Sequence, residues 1–343
     1  MTSTLKASFL RLKYLTSSAY TTSLKSNRTA AVVGATSGIG KACANRLAEQ
    51  GYNVIAVGRD RPGRAESIIQ ELNQYSSSSA STLGITSSES PKHEFYACDA
   101  FSLGNIKKTA DEIKANHPSI DVLVLTQGMA TTQGFTPTEE GNDEKMTLHY
   151  YSRMAMTVGL LPSLRESTKP KGAVVLTVLS GGVHGVYKKM EEDVDLKKNY
   201  SVKNAADAAG YYTDLGFDSL ALKEENEGIQ FVHAAPGFIN TNWGTEFNVV
   251  LRTLVRCMQV LGRDASDCAE YLLSPSVFAS DVPESGEGSG GLPERLDGRK
   301  EGIHIIGEKG QAWSLTKGHT DSAKEVLWKH TCSVLEKAGI SME

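Results

Sequence analysis

A strand, a glycine turn and a helix follow one another within residues 29–51, and this stretch constrains the fold most. The apolar run Ala30–Val33 ends at Gly34, further glycines stand at Gly38 and Gly40, and a helical apolar pattern begins at once. The first glycine permits a tight turn, the second lets a pyrophosphate approach the backbone, and the third lets the helix pack closely on the strand. Because the positive end of the helix dipole faces such phosphates, the sequence predicts a dinucleotide site here.

The eight residues from Val33 to Gly40 read Val-Gly-Ala-Thr-Ser-Gly-Ile-Gly. They resemble the glycine signature of the short-chain dehydrogenase/reductase family, and the resemblance extends over roughly residues 29–335. It implies one doubly wound α/β (Rossmann) domain over 29–343, with a seven-stranded parallel sheet in the order 3-2-1-4-5-6-7 and a C-terminal lid and helix. It also implies cofactor contacts at Gly34, Thr36, Ser37, Gly38, Ile39 and Gly40.

Composition excludes several other classes. A net charge of −4 argues against a nucleic-acid surface, and no apolar run approaches the length of a membrane span. The five cysteines are scattered without a Cys-x-x-Cys pair, and no cluster has metal-ligand spacing, so we expect reduced thiols and no metal. The expected partner is a small-molecule substrate, with a homodimer as the default assembly.

Residues 1–28 are basic, rich in serine and threonine, and free of acidic residues. Leu5, Phe9 and Leu12 would share one face of a helix, with Lys6 and Lys13 on others. This composition is typical of a mitochondrial transit peptide. A disordered N-terminal tail explains it equally well, so the sequence leaves mitochondrial and cytoplasmic locations open.

The end of the second predicted strand bears on the choice of cofactor. Arg59 lies nineteen residues past Gly40, where an acidic residue that binds the adenosine ribose is expected. A guanidinium there suits a 2′-phosphate and favours NADP(H). The adjacent Asp60 keeps NAD(H) as the alternative.

Apolar runs predict the remaining strands at Asn53–Val57, His93–Ala97, Ile120–Leu125, Ala173–Leu179, Gly228–Ala235 and Gly302–Ile306. The serine-rich stretch Ser76–Pro91 predicts a flexible surface insertion. A long amphipathic helix is predicted over Glu139–Leu161, with Pro162 just beyond it.

Two strand ends carry further cofactor positions implied by the resemblance. Asp99 follows the third strand, where the family's Asp hydrogen-bonds the adenine; an N-cap for the next helix is the alternative. Thr126-Gln127-Gly128 follows the fourth strand in place of the family's Asn-Ala-Gly. Gly128 is therefore expected to keep the backbone bend beside the cofactor, with altered hydrogen bonds.

The sixth strand is followed by Pro236-Gly237 and, four residues beyond that glycine, Thr241, which matches the family's Pro-Gly-x-x-x-Thr. By resemblance, this turn shapes the wall over the nicotinamide, and the threonine bonds its carboxamide or the pyrophosphate. The amphipathic segment Val249–Leu261 would cover the substrate and favours an apolar ketone or alcohol. A membrane-surface helix and a core or dimer-facing helix are the alternatives.

The resemblance implies two further catalytic positions, although serine is also a common residue at strand ends. Ser180 ends the fifth strand, where the family carries the serine that hydrogen-bonds the substrate carbonyl. His149 falls where the family has an asparagine that holds a proton-relay water. A histidine relays protons near neutral pH, but a histidine packed against the sheet explains the pattern as well.

The family's Tyr-x-x-x-Lys pair is displaced in this chain. Tyr200 and Lys203 are one residue too close, although residues three apart still neighbour one another on a helix. Counting back from Pro236-Gly237 without gaps instead places Ala206 at the Tyr position and Gly210 at the Lys position.

Three interpretations of this region follow. In the first, an extended helix brings Tyr200 and Lys203 to the chemistry. In the second, another acid replaces the tyrosine: Tyr211, His184, Tyr187 or His149. In the third, the site binds cofactor without turnover. The leading hypothesis is an NADP(H)-dependent oxidoreductase that moves hydride between nicotinamide and a carbonyl or secondary alcohol. A dinucleotide-binding sensor or assembly subunit is the alternative.

Overall fold

Seven parallel strands form one sheet in the order β3-β2-β1-β4-β5-β6-β7. The computed structural model describes residues 3–16, 27–82, 90–241, 249–259, 262–279 and 292–342. The strands are β1 Thr29–Val33, β2 Asn53–Gly58, β3 His93–Ala97, β4 Val122–Leu125, β5 Ala173–Val178, β6 Ile229–Ala234 and β7 His304–Ile306. This order confirms the predicted doubly wound sheet.

The helices cover both faces of the sheet. They are α1 Ser3–Thr16, α2 Gly38–Glu49, α3 Arg64–Thr82, α4 Leu103–Asn116, α5 Ser152–Arg165, α6 Val202–Ala221, α7 Val249–Gln259, α8 Ala265–Leu273 and α9 Asp321–Lys337. A helical turn Glu144–Met146 and a π-helical segment Thr147–Tyr151 lead into α5, and a second π-helical segment, Ser274–Phe278, follows α8.

The two-residue period of the central strands creates two apolar cores. In β1, Ala31 and Val33 face the core that contains Ile106 of α4 and Leu215 of α6. The intervening residues of β1 face the second core, which contains Leu47 of α2. Every residue of β1, β4 and β5 is buried, as expected for parallel strands covered on both sides.

Two predictions of local structure were wrong. Residues 76–82 of the expected flexible insertion belong to α3. Within it, Ser77 and Ser78 satisfy their hydroxyls on carbonyls one turn back, and the Ser76 hydroxyl bonds the Ala48 carbonyl and the His93 ring. Residues 83–89 lie outside the described part. The long helix begins at Glu144 rather than Glu139, since the Asp143 carboxylate caps it, and Pro162 lies inside α5.

Residues 3–16 of the basic N-terminal segment form α1, which packs on α8 and on the segment that follows it. The Tyr14 ring lies 6.0 Å from that of Phe278, and the Gln50 amide donates to the Tyr14 carbonyl at 2.9 Å. Arg11 Nε donates to Glu49 at 3.1 Å. Within the described residues, no helix combines the length and apolarity needed to cross a bilayer.

Candidate active site

The glycine turn lies at the carboxyl end of β1, at the mouth of α2. Gly34 and Gly38 have φ values of +88° and +56°, which glycine adopts without strain. Ser37 stands at the N-cap of α2, but its side chain makes no capping hydrogen bond there. The Ser37 side chain therefore leaves the first amide groups of α2 uncapped, at the place where the sequence predicts a diphosphate.

Thr126 explains why the turn needs glycine at two positions. Its hydroxyl donates to the Val33 carbonyl at 2.8 Å and ties the ends of β1 and β4 together. A Cβ at Gly40 would lie 2.3 Å from that hydroxyl oxygen, and one at Gly34 would lie 2.6 Å from it. The threonine that replaces the family's asparagine thus supports the turn from the neighbouring strand.

The two segments expected to bracket the cofactor lie against each other. A Cβ at Gly38 would lie 3.3 Å from the Thr241 methyl group, so the glycine turn contacts the end of the Pro-Gly-x-x-x-Thr segment. Gly237 has a φ of +75°, and Ala235 donates to the Ile306 carbonyl, which fixes the start of this segment beside β7. Residues 242–248 lie outside the described part.

The residues predicted to hold the adenosine end lie at the ends of β2 and β3. Arg59 and Asp60 are exposed, and the Arg59 carbonyl accepts a hydrogen bond from Arg64. Asp99 is exposed and accepts from the Phe101 amide at 3.2 Å. The N-cap of α4 is Ser102 rather than Asp99, so capping does not account for this aspartate.

His149 lies in the π-helical segment, against Gly128. Its Nε2 accepts a hydrogen bond from the Met129 amide at 3.0 Å, so the histidine holds the chain that follows β4. Burial, and then the charges of Arg153 and Lys145, lower the pKa of His149 to about 3. The ring is therefore neutral near pH 7, where it accepts a hydrogen bond rather than delivering a proton.

Arg153 was missed by sequence reasoning. It is 1% exposed, and its guanidinium donates to the Gln127 carbonyl at 2.6 Å, the Val178 carbonyl at 2.9 Å and the Thr177 hydroxyl at 2.7 Å. Burial lowers the pKa of Arg153 to about 9. Its position on an otherwise apolar helix gave no signal of this role, which is to join the ends of β4 and β5 beneath the crevice.

Ser180 lies just beyond β5. Its Oγ is buried and has no hydrogen-bond partner among the described residues, whereas its amide donates to His233 Nε2 at 3.1 Å. A buried hydroxyl without a partner is costly unless a ligand or water completes it. The serine is thus oriented from its backbone, and the hydrogen bond of its side-chain oxygen is left unfilled by the described residues.

The structure does not bring Tyr200 and Lys203 to Ser180. Helix α6 begins at Val202 with Ser201 as its N-cap, so Tyr200 precedes the helix. The α6 residue beside Ser180 is Gly210, which lies about 12 Å along the helix axis from Val202, the first residue of α6. In this structure the helix does not bring Tyr200 and Lys203 to Ser180, as the first of the three interpretations required.

The surroundings of the pair also differ from the expected chemistry. The Lys203 side chain is 80% exposed and pairs with Asp207. The Tyr200 ring packs edge-on against Phe135, and burial, then the Asp143 carboxylate, raise its pKa. A lysine that lowered this pKa was the expected arrangement, so neither residue has the environment of its predicted role.

The other candidate acids are already engaged. The Tyr211 hydroxyl donates to the Gly318 carbonyl at 2.5 Å, and the Tyr187 hydroxyl donates to Asp193 at 3.2 Å. His184 Nε2 lies 2.9 Å from Asp214 Oδ2. Neither tyrosine has its proton directed to Ser180.

His184, Asp214 and His233 form a cluster with ligand atoms within 4.8 Å of one another. It is the candidate metal donor set among the described residues. The sequence gave no signal for it, because Asp214 lies in the middle of a helix and His233 inside an apolar strand. Only the fold brings them together beside Ser180.

Comparisons with known proteins agree with this geometry. The family model for short chain dehydrogenases matches residues 28–190. The chain is 27% identical to an oxidoreductase of Emericella nidulans over 91% of this chain and 94% of that protein, and 24% identical to human polyprenol dehydrogenase over 90% and 85%. A short-chain dehydrogenase/reductase of Serratia marcescens shares the fold, with a TM-score of 0.52 at 14% identity, over 85% of this chain and 97% of its own. The strand order, the glycine turn and these likenesses support a protein of the short-chain dehydrogenase/reductase family of oxidoreductases, with an atypical region where Tyr-x-x-x-Lys is expected.

Proposed function

We propose that the protein is an NADP(H)-dependent oxidoreductase that moves hydride between nicotinamide and a carbonyl or secondary alcohol. The observation that carries the proposal is the meeting of three segments at the carboxyl edge of the sheet: the glycine turn after β1 lies against Thr241, which follows β6, and Ser180 follows β5. In a doubly wound sheet, ligands bind at this edge of the strands.

The residues present fit a dinucleotide. Gly34 and Gly40 let the turn pack closely on Thr126, Gly38 places no side chain between the turn and Thr241, and the amide groups at the mouth of α2 suit a diphosphate. Asp99 would hold the adenine, and Arg59 would pair with a 2′-phosphate. When bound, the nicotinamide supplies or accepts the hydride.

On the substrate side, Ser180 would hold the reacting oxygen. Its hydroxyl proton has no other acceptor among the described residues, and the serine backbone is fixed through His233. Arg153 donates to the Gln127 carbonyl and His149 accepts the Met129 amide proton, so both residues hold in place the segment that follows β4.

An apolar substrate is favoured. Helix α7 follows the Pro-Gly-x-x-x-Thr segment, in the place where this family covers its substrate; residues 260 and 261 of the predicted lid lie outside the described part. Human polyprenol dehydrogenase, a relative over most of the chain, is named for a long apolar alcohol. We therefore include long-chain alcohols and their carbonyl forms in the substrate class.

A second candidate function is dinucleotide binding with little turnover. Gly210 favours it, because α6 brings no side chain to Ser180 at that position. Calorimetry with NADPH and NADH, combined with a turnover screen over short and long carbonyl compounds, separates the two. Tight NADPH binding without consumption of any compound would support the second function and overturn the first.

The cofactor preference has its own test. Arg59→Ala should weaken NADPH binding by about 10- to 100-fold, the usual value of a charge-assisted contact, and leave NADH binding unchanged. Lys108→Ala, which removes a cation that is 76% exposed on α4, is the control and should change neither. Equal affinity of Arg59→Ala and the unmodified protein for NADPH would overturn the assignment of this arginine.

A further inference from the structure

Arg263 holds the segment that follows β6 through its backbone. Its amide donates to the Phe238 carbonyl at 3.0 Å, and its carbonyl accepts from the Asn240 amide at 2.8 Å. Between these two bonds, Ile239 and Arg263 form a parallel β-bridge. The Pro-Gly-x-x-x-Thr segment (residues 236–241) therefore has a short pairing partner of its own, just before α8 begins.

The Arg263 side chain joins this segment to the turn after β7. It is 11% exposed, and its guanidinium lies 5.0 Å from the centre of the Tyr271 ring, on α8. Nη1 donates to the Glu308 carbonyl, and Nη2 lies 3.5 Å from Glu308 Oε2. A guanidinium that stacks on an aromatic ring while it contacts a carbonyl and a carboxylate has a fixed orientation, which a lysine reproduces only in part.

Glu308 in turn lies directly against Gly237. Gly237 has a φ of +75°, and a Cβ there would overlap the Glu308 carboxylate and lie 3.0 Å from Glu308 Cβ. The position of Glu308 is set by a tight turn, in which the Gly307 amide donates to the Gln311 carbonyl at 2.8 Å. The glycine of the Pro-Gly pair thus leaves room for an acidic side chain, and Arg263 pairs with that side chain.

The same turn also reaches the segment after β5. A Cβ at Gly182 would lie 2.8 Å from Trp313 Cε3, and Gly182 lies two residues past Ser180. The Trp313 amide donates to the Ile305 carbonyl at 2.8 Å, which fixes the tryptophan backbone relative to β7. Residues 307–313, the β7 turn, therefore lie against both segments that the proposed function uses: the Pro-Gly-x-x-x-Thr segment and the segment of Ser180.

We propose that Arg263, paired with Glu308, is a positioning residue that holds the Pro-Gly-x-x-x-Thr segment in place for the nicotinamide end of the cofactor. A segment that is fixed before binding loses little conformational entropy on binding, so the cofactor binds more tightly. A wall fixed through the β7 turn also keeps a constant relation to Ser180, and hydride transfer depends on such geometry. The identity of the ligand rests on the proposed function, whereas the pairing itself does not.

The direct test compares two ligands by calorimetry on the full chain. One is NADPH, and the other is 2′-phospho-ADP-ribose, which keeps the diphosphate and lacks the nicotinamide. Arg263→Met should weaken NADPH binding by about 10-fold, the value of one well-placed contact, and change 2′-phospho-ADP-ribose binding by less than about twofold. The glycine turn that would bind the diphosphate is left intact, so only the nicotinamide end should respond.

The outcomes separate this inference from the proposed function. Equal NADPH affinity of Arg263→Met and the unmodified protein would overturn the inference alone. An equal loss for both ligands would also overturn it, because it would show a general change of the site. An unmodified protein that binds neither ligand would overturn the proposed function, and this inference with it.

Two further variants test the pair itself. Arg263→Lys keeps a cation near Glu308 and should recover part of the lost NADPH affinity. Glu308→Gln, at a side chain that is 39% exposed, should weaken NADPH binding by about twofold to fivefold, the value of a partly exposed ion pair. This variant also serves if Arg263→Met does not fold, and an unchanged NADPH affinity in it would overturn the role of the pair.

Arg295→Met is the matched control. Arg295 also donates to backbone carbonyls, those of Lys300 at 2.7 Å and Ile303 at 3.2 Å, but these precede β7 and so lie at the amino end of the strand. The control should bind both ligands like the unmodified protein. A loss of NADPH affinity as large as that of Arg263→Met would contradict a specific role for Arg263.

Where turnover is found, kinetics give an independent readout. Arg263→Met should raise KM for NADPH by about 10-fold, more than it lowers kcat, and leave KM for the carbonyl compound within about twofold. A rise confined to KM for the carbonyl compound would place Arg263 on the substrate side and contradict the proposal.

Discussion

The two sides of the proposed site are built from different groups, backbone on one side and side chains on the other. On the side of β1 and α2, the proposed site consists mainly of backbone: three glycines and the amide groups at the mouth of α2 that the Ser37 side chain does not cap, supported by the Thr126 hydroxyl. On the side of β5 and α6, it consists of side chains, with Ser180 fixed through His233 and flanked by His184.

This difference explains why one side matches the family pattern and the other departs from it. A diphosphate bound by amide groups needs particular backbone angles and the absence of Cβ atoms, and few sequences other than a glycine pattern provide both. A charge or a proton can be supplied from several elements, provided that it reaches the same point. The lysine position on α6 can therefore be glycine when a loop residue fills the space.

The largest effect that tests the comparison is expected from Gly40→Ala. The added Cβ would lie 2.3 Å from the Gly34 carbonyl oxygen, so the turn must open and cofactor binding should fall below detection in calorimetry. Overpacking should also cost about 1–3 kcal/mol of unfolding free energy, against the usual gain from alanine in a helix. Gly228→Ala, which meets nothing within 4 Å, is the control. Normal binding by Gly40→Ala would show that the turn does not rely on its backbone.

Gly210→Ala tests the other side. Its Cβ would overlap Ser180 Oγ and His184, so we expect a loss of about 1–3 kcal/mol in urea unfolding and a larger fall in kcat than in cofactor affinity. Gly104→Ala in α4 has room, with its nearest contact at 3.6 Å, and should stabilise the protein by about 0.5–1 kcal/mol. If both variants were equally stable, the gap at position 210 would have no structural role.

Between the two sides, His149 predicts a dependence of stability on pH. Its folded pKa of about 3 lies below the ordinary value of about 6.5, so acid protonates the unfolded chain first and stability falls as the pH drops from about 6.5 towards 3. The slope from this group is at most about 1.4 kcal/mol per pH unit.

His149→Asn should make that slope shallower in urea titrations between pH 6 and pH 4. A slope unchanged by His149→Asn would mean that the ring takes up its proton in the folded protein.

Asp214 contributes in a separate pH range. Its folded pKa of about 2 lies below the ordinary value of about 3.9, so its contribution to stability is present above about pH 4 and is lost as the pH falls towards 2.

The smallest effect is expected from Lys203→Met. The lysine is 80% exposed and pairs only with Asp207 among the described residues, and exposed pairs contribute little. We expect unfolding free energy within about 0.5 kcal/mol and kcat within about twofold of the unmodified protein. A fall in kcat of orders of magnitude would restore the Tyr200 and Lys203 assignment and remove the asymmetry between the two sides.

The sequence was sufficient for the sheet and for the position of the glycine turn within it. Buried parallel strands appear as continuous apolar runs, so Ala30–Val33 and Ala173–Leu179 were placed to within a residue or so. Gly34, Gly38 and Gly40 carry their conformational meaning in the residue type itself. The contact of Gly38 with Thr241 then follows from the strand order.

The side-chain network could not be predicted in the same way. Asp214 and His233 are nineteen residues apart in sequence, and their contact depends on how α6 packs on β6. Arg153 gave a similarly weak signal, because a buried arginine that bonds backbone carbonyls has no partner motif in the sequence. The α3 boundary was missed because serine favours loops, whereas here the serine hydroxyls return to the helix itself.

The contacts of α1 with the rest of the protein give the N-terminal segment a stabilising role, separate from any role in targeting. Should a protease cut near Asn27, the remaining protein would lose Tyr14 and Arg11 in one step. Tyr14 packs on Phe278 and accepts from the Gln50 amide, and Arg11 pairs with Glu49. The trimmed and untrimmed forms would then differ in heat resistance as well as in length. A comparison of their melting temperatures would reveal whether evolution has kept this helix for transport or for the finished enzyme.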